Sequence, residues 1–348
     1  VNQVERLDWV SDGSRMELGI TSETAALPRL NGHRAAWVES VSKGLGHQVF
    51  FLRACSGDET TGLLPLVLVT GPIFGRFLVS LPYLNTGGVW AQDREVAGQL
   101  VDSACDLADQ LDVKYLELRH ECPVDHPRLN YQRTDKVHMR LELPESAEAL
   151  MKSFKSKLRS QIKKTGEYGL AVRFGGAELL DDFYTVFAHN MRDLGTPVFS
   201  RTLFSSILQQ FKSDAELCLV RKGTRPIACG LLVHVGGVTE VPSASSLREF
   251  NRTGANMLMY VNLLERAIQR GSQIFDFGRS SEESGTYKFK AQWGAQPYPA
   301  VWQYYVRKGS PDEMRPDASG KQRMVKVWQR LPVWLTKIMG PPIVRGIP

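Results

Sequence analysis

The chain has 348 residues, 43% of them hydrophobic and 23% charged, and carries a net charge of +6 at pH 7. That apolar content excludes intrinsic disorder and suffices for more than one ordinary core, so two units of roughly 150 residues each are expected. The modest positive excess suits partners that present phosphate or carboxylate, without choosing among nucleotides, anionic glycans, RNA and acidic membrane surfaces.

Five cysteines, Cys55, Cys105, Cys122, Cys218 and Cys229, lack CxxC spacing. Their odd number excludes a fully paired disulfide scaffold and points to a reducing cytoplasm. The opening VNQVERLDWV lacks the basic flank and apolar run of a secretion signal, so export is not expected. The most apolar stretch, residues 62–73 (GLLPLVLVTGPI), is broken by Pro65, Gly71 and Pro72 and falls short of the roughly 18 residues a membrane span needs.

In chain order, residues 34–41 read as part of a helix, followed by strands over 46–54 and 62–69 around a turn-rich SGDET. LPYLNTGGVW, residues 81–90, is a second turn region. Ala97, Leu100, Val101, Ala104, Leu107, Ala108 and Leu111 then form a helical stripe, with strands expected over 114–118 and 137–143. The first unit is expected to span residues 1–145.

A second unit over 146–308 opens with Leu150, Phe154, Leu158 and Ile162, whose four-residue spacing predicts the apolar face of one helix. Lys152, Lys155, Arg159 and Lys163 should then project together as a basic ridge for pyrophosphate, a tRNA backbone or lipid headgroups, or simply for solubility. Residues 170–174 read as a strand and 179–188 as a helix. That helix leads into HNMRDLGTP, where Asn190, Arg192 and Asp193 can line a cleft. A helix over 202–211 and strands over 216–220, 226–235 and 238–241 follow.

NRTGAN, residues 251–256, precedes a helix with Met257, Tyr260, Val261, Leu264, Ala267 and Ile268 on one side. Free N–H groups at its first turn offer an anion site, with Arg252 adding a movable positive charge. Gly271 should end that helix, and residues 274–277 begin a strand.

The segment 275–294, FDFGRSSEESGTYKFKAQWG, crowds acids, bases, hydroxyls and glycines between apolar positions, which suits group transfer. Glu282 and Glu283 can orient or deprotonate an amine, Arg279 can hold an anion, and Lys288 or Lys290 can stabilise charge on a transferred carbonyl. The alternative is a solvated loop with surface ion pairs. Residues 301–306 return as a strand, placing this segment on a connection between sheet elements.

Other chemistry is weakly encoded. HECPVDHP places His120, Cys122 and His126 close in sequence without a complementary Cys/His pair or an HExxH motif, so no metal site is expected. No G-x-S-x-G elbow surrounds Ser280, Ser281 or Ser284.

GGAELLDDFYTVFAHNMRDLGTPVF (175–199) and FDFGRSSEESGTYKFKAQWGAQP (275–297) resemble the FemAB-like N-acyltransferase group associated with PEP-CTERM/exosortase and exopolysaccharide gene clusters. Residues 50–54, 64–66, 74–79, 82–89, 113–119 and 136–143 are similar to the first half of that group, so the resemblance covers most of 45–308. It implies an α/β (α+β) fold of two tandem GCN5-related N-acyltransferase-like units, each a central mixed sheet flanked by helices.

The same resemblance implies transfer of an acyl or aminoacyl group from an activated donor to an amino group of a saccharide or cell-envelope precursor. It marks Tyr83 and Asn85 as first-unit cleft residues, Lys157 and Arg159 as basic binding positions, and Lys288 or Lys290 at the position of a superfamily lysine. Ser281, Tyr287 and Trp293 complete the expected substrate contacts. Arg252, Gly254 and Asn256 resemble a degenerate pyrophosphate loop of coenzyme-A-dependent enzymes, leaving acyl-CoA and aminoacyl-tRNA both open as donors. The expected acceptor is an anionic or nucleotide-linked amino-saccharide.

Two further readings keep the fold without the chemistry: a noncatalytic carbohydrate- or precursor-binding protein, and a tRNA-binding scaffold. The tail, residues 309–348, carries Val327, Trp328, Leu331, Trp334, Leu335, Ile338 and Met339 beside Lys326, Arg330 and Lys337. It is expected either to pack back on a unit or to touch the inner face of the membrane, with Pro332, Pro341 and Pro342 interrupting any long helix.

Overall fold

A computed structural model of the chain describes residues 3–8, 31–314 and 321–348. Contacts divide the chain into two units that are not sequential: unit 1 is Val1–Lys136, Pro299–Ser319 and Pro342–Pro348, and unit 2 is Val137–Tyr298 and Gly320–Pro341.

The chain begins with β1 (Gln3–Asp8), α1 (Ala35–Leu45), β2 (Gln48–Ser56), β3 (Glu59–Gly71), β4 (Gly75–Val79), β5 (Trp90–Ala91), α2 (Arg94–Gln110) and β6 (Tyr115–His120). β7 (Tyr131–Glu142) has residues in both units. Then come α3 (Ala147–Ser153), α4 (Ser156–Lys164), β8 (Leu170–Gly175), α5 (Leu180–Leu194), α6 (Arg201–Phe211), β9 (Ala215–Lys222), β10 (Arg225–Val235) and β11 (Val238–Ser246). α7 (Ala255–Gln269), β12 (Ile274–Ser281), α8 (Gly285–Ala291), β13 (Gln296–Val306), α9 (Lys321–Trp328) and α10 (Val333–Val344) complete the order.

In unit 1, β1, β2, β3 and β4 form an antiparallel run, and α2 carries the chain over to β6, which pairs parallel to β4. β13 closes antiparallel on the other edge of β6. Asp93 starts α2 by accepting the Val96 amide at 2.9 Å. The helix then buries Val96, Leu100, Val101 and Ala104 against sheet residues such as Phe50, Leu64, Leu66 and Leu116. Beyond Val79 the turn region folds onto β6: the amides of Gly87 and Gly88 donate to Arg119 O, and Arg119 Nη1 donates to Leu84 O at 2.7 Å. Only glycine fits at position 88, where a Cβ would lie 2.0 Å from His120 Cδ2.

In unit 2, β8, β9, β10 and β11 are antiparallel neighbours, and α7 crosses over to β12, parallel to β11. Met259, Leu263 and Leu264 of α7 pack with Leu232, Phe275, Phe277 and Trp293 in this unit's core.

Two expected elements differ. The single helix through Leu150, Phe154, Leu158 and Ile162 is two helices, because Phe154 and Lys155 are extended, with ψ of 144° and 149°. Phe154 turns out of helical register to meet Trp293 edge-on at 5.5 Å, and Arg159 donates to Phe154 O. The four basic residues therefore do not form one ridge: Lys155 lies between the helices and Arg159 caps carbonyls. The connection after β12 is not all loop either, since Ser284 accepts the Tyr287 amide at 3.1 Å and starts α8.

Candidate functional site in unit 2

β11 and β12 pair only over Val238–Glu240 with Ile274–Asp276, although β11 runs on to Ser246 and β12 to Ser281. β10 stays registered with β11 through Ser246, so β11 is held on one edge while its other edge opens away from β12. Parallel strands joined by a crossover helix place that helix's N-terminus at the carboxyl end of the first strand. The opening and the start of α7 therefore meet, and crevices at the carboxyl ends of parallel strands are where α/β folds take ligands.

Beyond the paired stretch, β12 is held by side chains of unit 2. Asp276, 4% exposed, accepts the Gly278 amide at 2.7 Å through Oδ1 and the Arg140 Nε–H at 2.9 Å through Oδ2. Gly278, two residues past the last β11–β12 pair, has a left-handed φ of 76°. The Lys290 ammonium, on α8, donates to Gly278 O and Arg279 O, each at 3.0 Å. Burial pushes the Lys290 pKa down to about 8, partly offset by Asp276, with Arg279 lowering it further. The Gly278 amide and the Gly278 and Arg279 carbonyls are thus bonded by a carboxylate and an ammonium. The buried Ser280 hydroxyl, beside them on β12, makes no hydrogen bond.

At the helix end of the opening, Gly254 is the N-cap of α7 with φ of 68° and no side-chain cap. The first amides of this 15-residue helix lack the usual capping oxygen, which suits an incoming anion. Arg252 is exposed in the preceding turn, and Asn256 is half-buried in the first turn of α7. Asn190 reaches β11 from α5, donating to Ser245 Oγ at 3.0 Å.

The other expected residues sit in varied surroundings. Glu283 (φ 60°) and Lys288 are exposed and face each other at 3.5 Å. Arg279, Ser281 and Tyr287 are half-buried, and Ser281 O accepts the Ser284 hydroxyl at 2.7 Å. Trp293, 1% exposed, lies in the unit 2 core beside Phe154, Tyr260 and Phe289. Arg192 pairs with Asp193 at 2.7 Å and donates to Leu331 O, so both hold the segment that joins α9 to α10. Lys157 is exposed on α4.

In unit 1, Tyr83 has φ of 72°, shares a 2.9 Å hydrogen bond with His47 Nε2 and donates to Arg345 O. Burial pushes its phenol pKa up and holds His47 down at about 4. Asn85 is half-buried in the same turn.

Arg140 and Asp276 escaped the sequence reading. The signal was an aspartate between two phenylalanines on a strand, since a carboxylate there needs a partner. Its partner lies 136 residues away. Among the described residues no group of three or more His, Cys, Asp or Glu side chains can hold a metal ion. No described helix is long and apolar enough to cross a membrane.

Residues 152–291, from the end of α3 through α8, match the family of the acetyltransferase (GNAT) domain. No curated protein matches the chain. Among solved structures the chain is similar to FemX, at 14% identity and a TM-score of 0.61 over 88% of this chain and 96% of that one. It is also similar to a tandem GNAT protein from the clavulanic acid biosynthesis pathway (12% identity, TM-score 0.53, 88% and 100% covered). A conserved protein of unknown function from Bacteroides thetaiotaomicron is a third (9% identity, TM-score 0.55, 82% and 94% covered). The chain therefore has a GNAT-like fold, a central mixed sheet flanked by helices, and the family match falls on the part of unit 2 that holds the opening.

Proposed function

We propose that the chain is an N-acyltransferase whose activated donor enters unit 2 between β11 and β12. The observation that carries this reading is the three-residue pairing of those strands beside an uncapped α7, within the stretch matching the acetyltransferase family. A thioester or ester carbonyl lying along the opening meets the edge of β11 beyond its pairing with β12, where backbone N–H groups can polarise it, and an acceptor amine attacks its carbon. Glu283, directly or through water, takes the amine proton, and Lys288 offsets negative charge on the carbonyl oxygen; the tetrahedral intermediate then collapses with cleavage of the C–S or C–O bond, and the carrier leaves as thiol or alcohol with that proton. Lys290 serves as a positioning residue, because its ammonium holds the β12 carbonyls.

The uncapped helix start favours a donor with a pyrophosphate, and acyl-CoA is that donor; Arg252 and Asn256 flank the phosphates. Aminoacyl-tRNA is the competing donor. The acceptor, an amino-bearing saccharide or cell-envelope precursor of exopolysaccharide synthesis, follows from the resemblance of residues 175–199 and 275–297. We further read the two units as a tandem pair with the donor in unit 2. In unit 1, Glu117 O at the end of the β4–β6 pairing and the backbone of Arg119 just beyond it are already bonded by Ser80, Gly87 and Gly88.

Intact-mass analysis of amino-sugar acceptors incubated with acyl-CoA and, separately, with aminoacyl-tRNA tests the reading. The expected result is an acceptor heavier by one acyl group with acyl-CoA. Absence of product from both donors across a panel of amino sugars contradicts it.

A further inference from the structure

Helices α9 and α10 have two unlike faces. One is docked on unit 2: Arg192 Nη1 donates to Leu331 O and Gln329 Nε2 to Asp193 O, both at 3.1 Å, and the Lys337 ammonium lies 5.2 Å from the Tyr184 ring. Gly340 sits so close to Val198 that a Cβ there would lie 2.8 Å from its amide nitrogen.

The other face is apolar and open. Met324 is 70% exposed, Val327 61%, Trp334 65%, Ile338 66% and Met339 41%. These are five of the eight large hydrophobic side chains exposed among the described residues, so the exposure is concentrated here rather than scattered. Spacings of three and four residues keep Met324 with Val327 and Trp334 with Ile338 on one side of each helix. Arg323, Lys326 and Arg330 are exposed beside them. Residues 321–341 contain five Lys or Arg and no Asp or Glu.

We propose that this face seats on the surface of an anionic phospholipid bilayer. The apolar side chains enter the boundary between headgroups and acyl chains, and Arg323, Lys326 and Arg330 meet lipid phosphates. Charge complementarity and apolar exposure coincide on this face. A nucleic acid would match the positive charge and leave Trp334 and Ile338 in water, whereas an anionic bilayer satisfies both. Helices of 8 and 12 residues are too short to cross the membrane, so they lie in its plane. The inference does not depend on the acyl-transfer reading.

Cosedimentation of the full chain with vesicles tests it, comparing phosphatidylglycerol–phosphatidylcholine mixtures with pure phosphatidylcholine. The expected result is partition at least about tenfold stronger onto the anionic vesicles, weakened by salt. The pair Trp334→Ser and Ile338→Ser should abolish binding, and Lys326→Glu with Arg330→Glu should remove the preference for anionic lipid. All four side chains point outward, so urea midpoints should match the parent chain and separate lost binding from lost folding. No partition onto anionic vesicles, equal partition onto both, or full binding by both double variants overturns the proposal. So does a concentration-dependent dimer that the Trp334→Ser pair dissociates, since the face would then be covered by a second copy.

Discussion

Lys290 places a buried ammonium beside β12, where desolvation works against its charge, Asp276 works for it and Arg279 against it. Its folded pKa, about 8 against 10.5, sets a sign. Below pH 8 the lysine is charged in both states and folding bears the full desolvation cost. Between 8 and 10.5 the unfolded chain binds more protons, so stability rises with pH. Between pH 7.5 and 10 this group should add about 2 kcal/mol. Lys290→Met should remove that increment from the pH profile in urea unfolding, while leaving Gly278 O and Arg279 O without their partner. Transfer should fall by more than stability does, because the backbone at Gly278 and Arg279 then loses the bonds that position it beside the opening. A Met variant with the parent's pH profile and the parent's turnover would remove Lys290 from this role.

At the scale of elements, α7 has a glycine at each end in the same left-handed backbone region, Gly254 at φ 68° and Gly271 at φ 75°. A side chain at 271 meets nothing within 4 Å, whereas one at 254 presses on Thr165 Cγ2 at 2.9 Å beside the proposed phosphate site. Alanine should cost each position about 1 kcal/mol or somewhat more through the φ > 0 conformation. Only Gly254→Ala should also raise the donor KM, several-fold, while Gly271→Ala should leave it unchanged; equal KM values in steady-state assays would place the donor elsewhere.

Elements were legible in the sequence wherever periodicity was local. The α2 stripe and the strands 46–54, 62–69 and 226–235 stand within a few residues of their expected bounds. The helix expected through Phe154 was misread because its spacing is helical while its partner, Trp293, pulls it out of the helix from 139 positions away. α8 was missed because its seven residues are too few for a periodic stripe, although Ser284 was available as its cap. The site was legible as a segment and not as a mechanism of support. Glu283, Lys288 and Lys290 share one turn and one short helix. Their environments diverge with the direction each side chain takes, leaving the first two exposed and the third buried.

For the molecule as a whole, the two units treat their parallel strand pairs differently. β4 and β6 pair at Leu78–Val79 with Leu116–Glu117, and the turn 80–88 then bonds the backbone of β6. β11 and β12 part after three pairs, and side chains within unit 2 take the β12 groups instead. On the proposed reading the donor therefore binds unit 2 alone. Hydrogen–deuterium exchange over the full chain, with and without acyl-CoA, is the most direct test. The predicted result is slowed exchange at residues 241–246, 255–257 and 277–281, with residues 78–88 unchanged. Bound acyl-CoA that slows exchange at 78–88 and leaves the unit 2 segments as they were would contradict it.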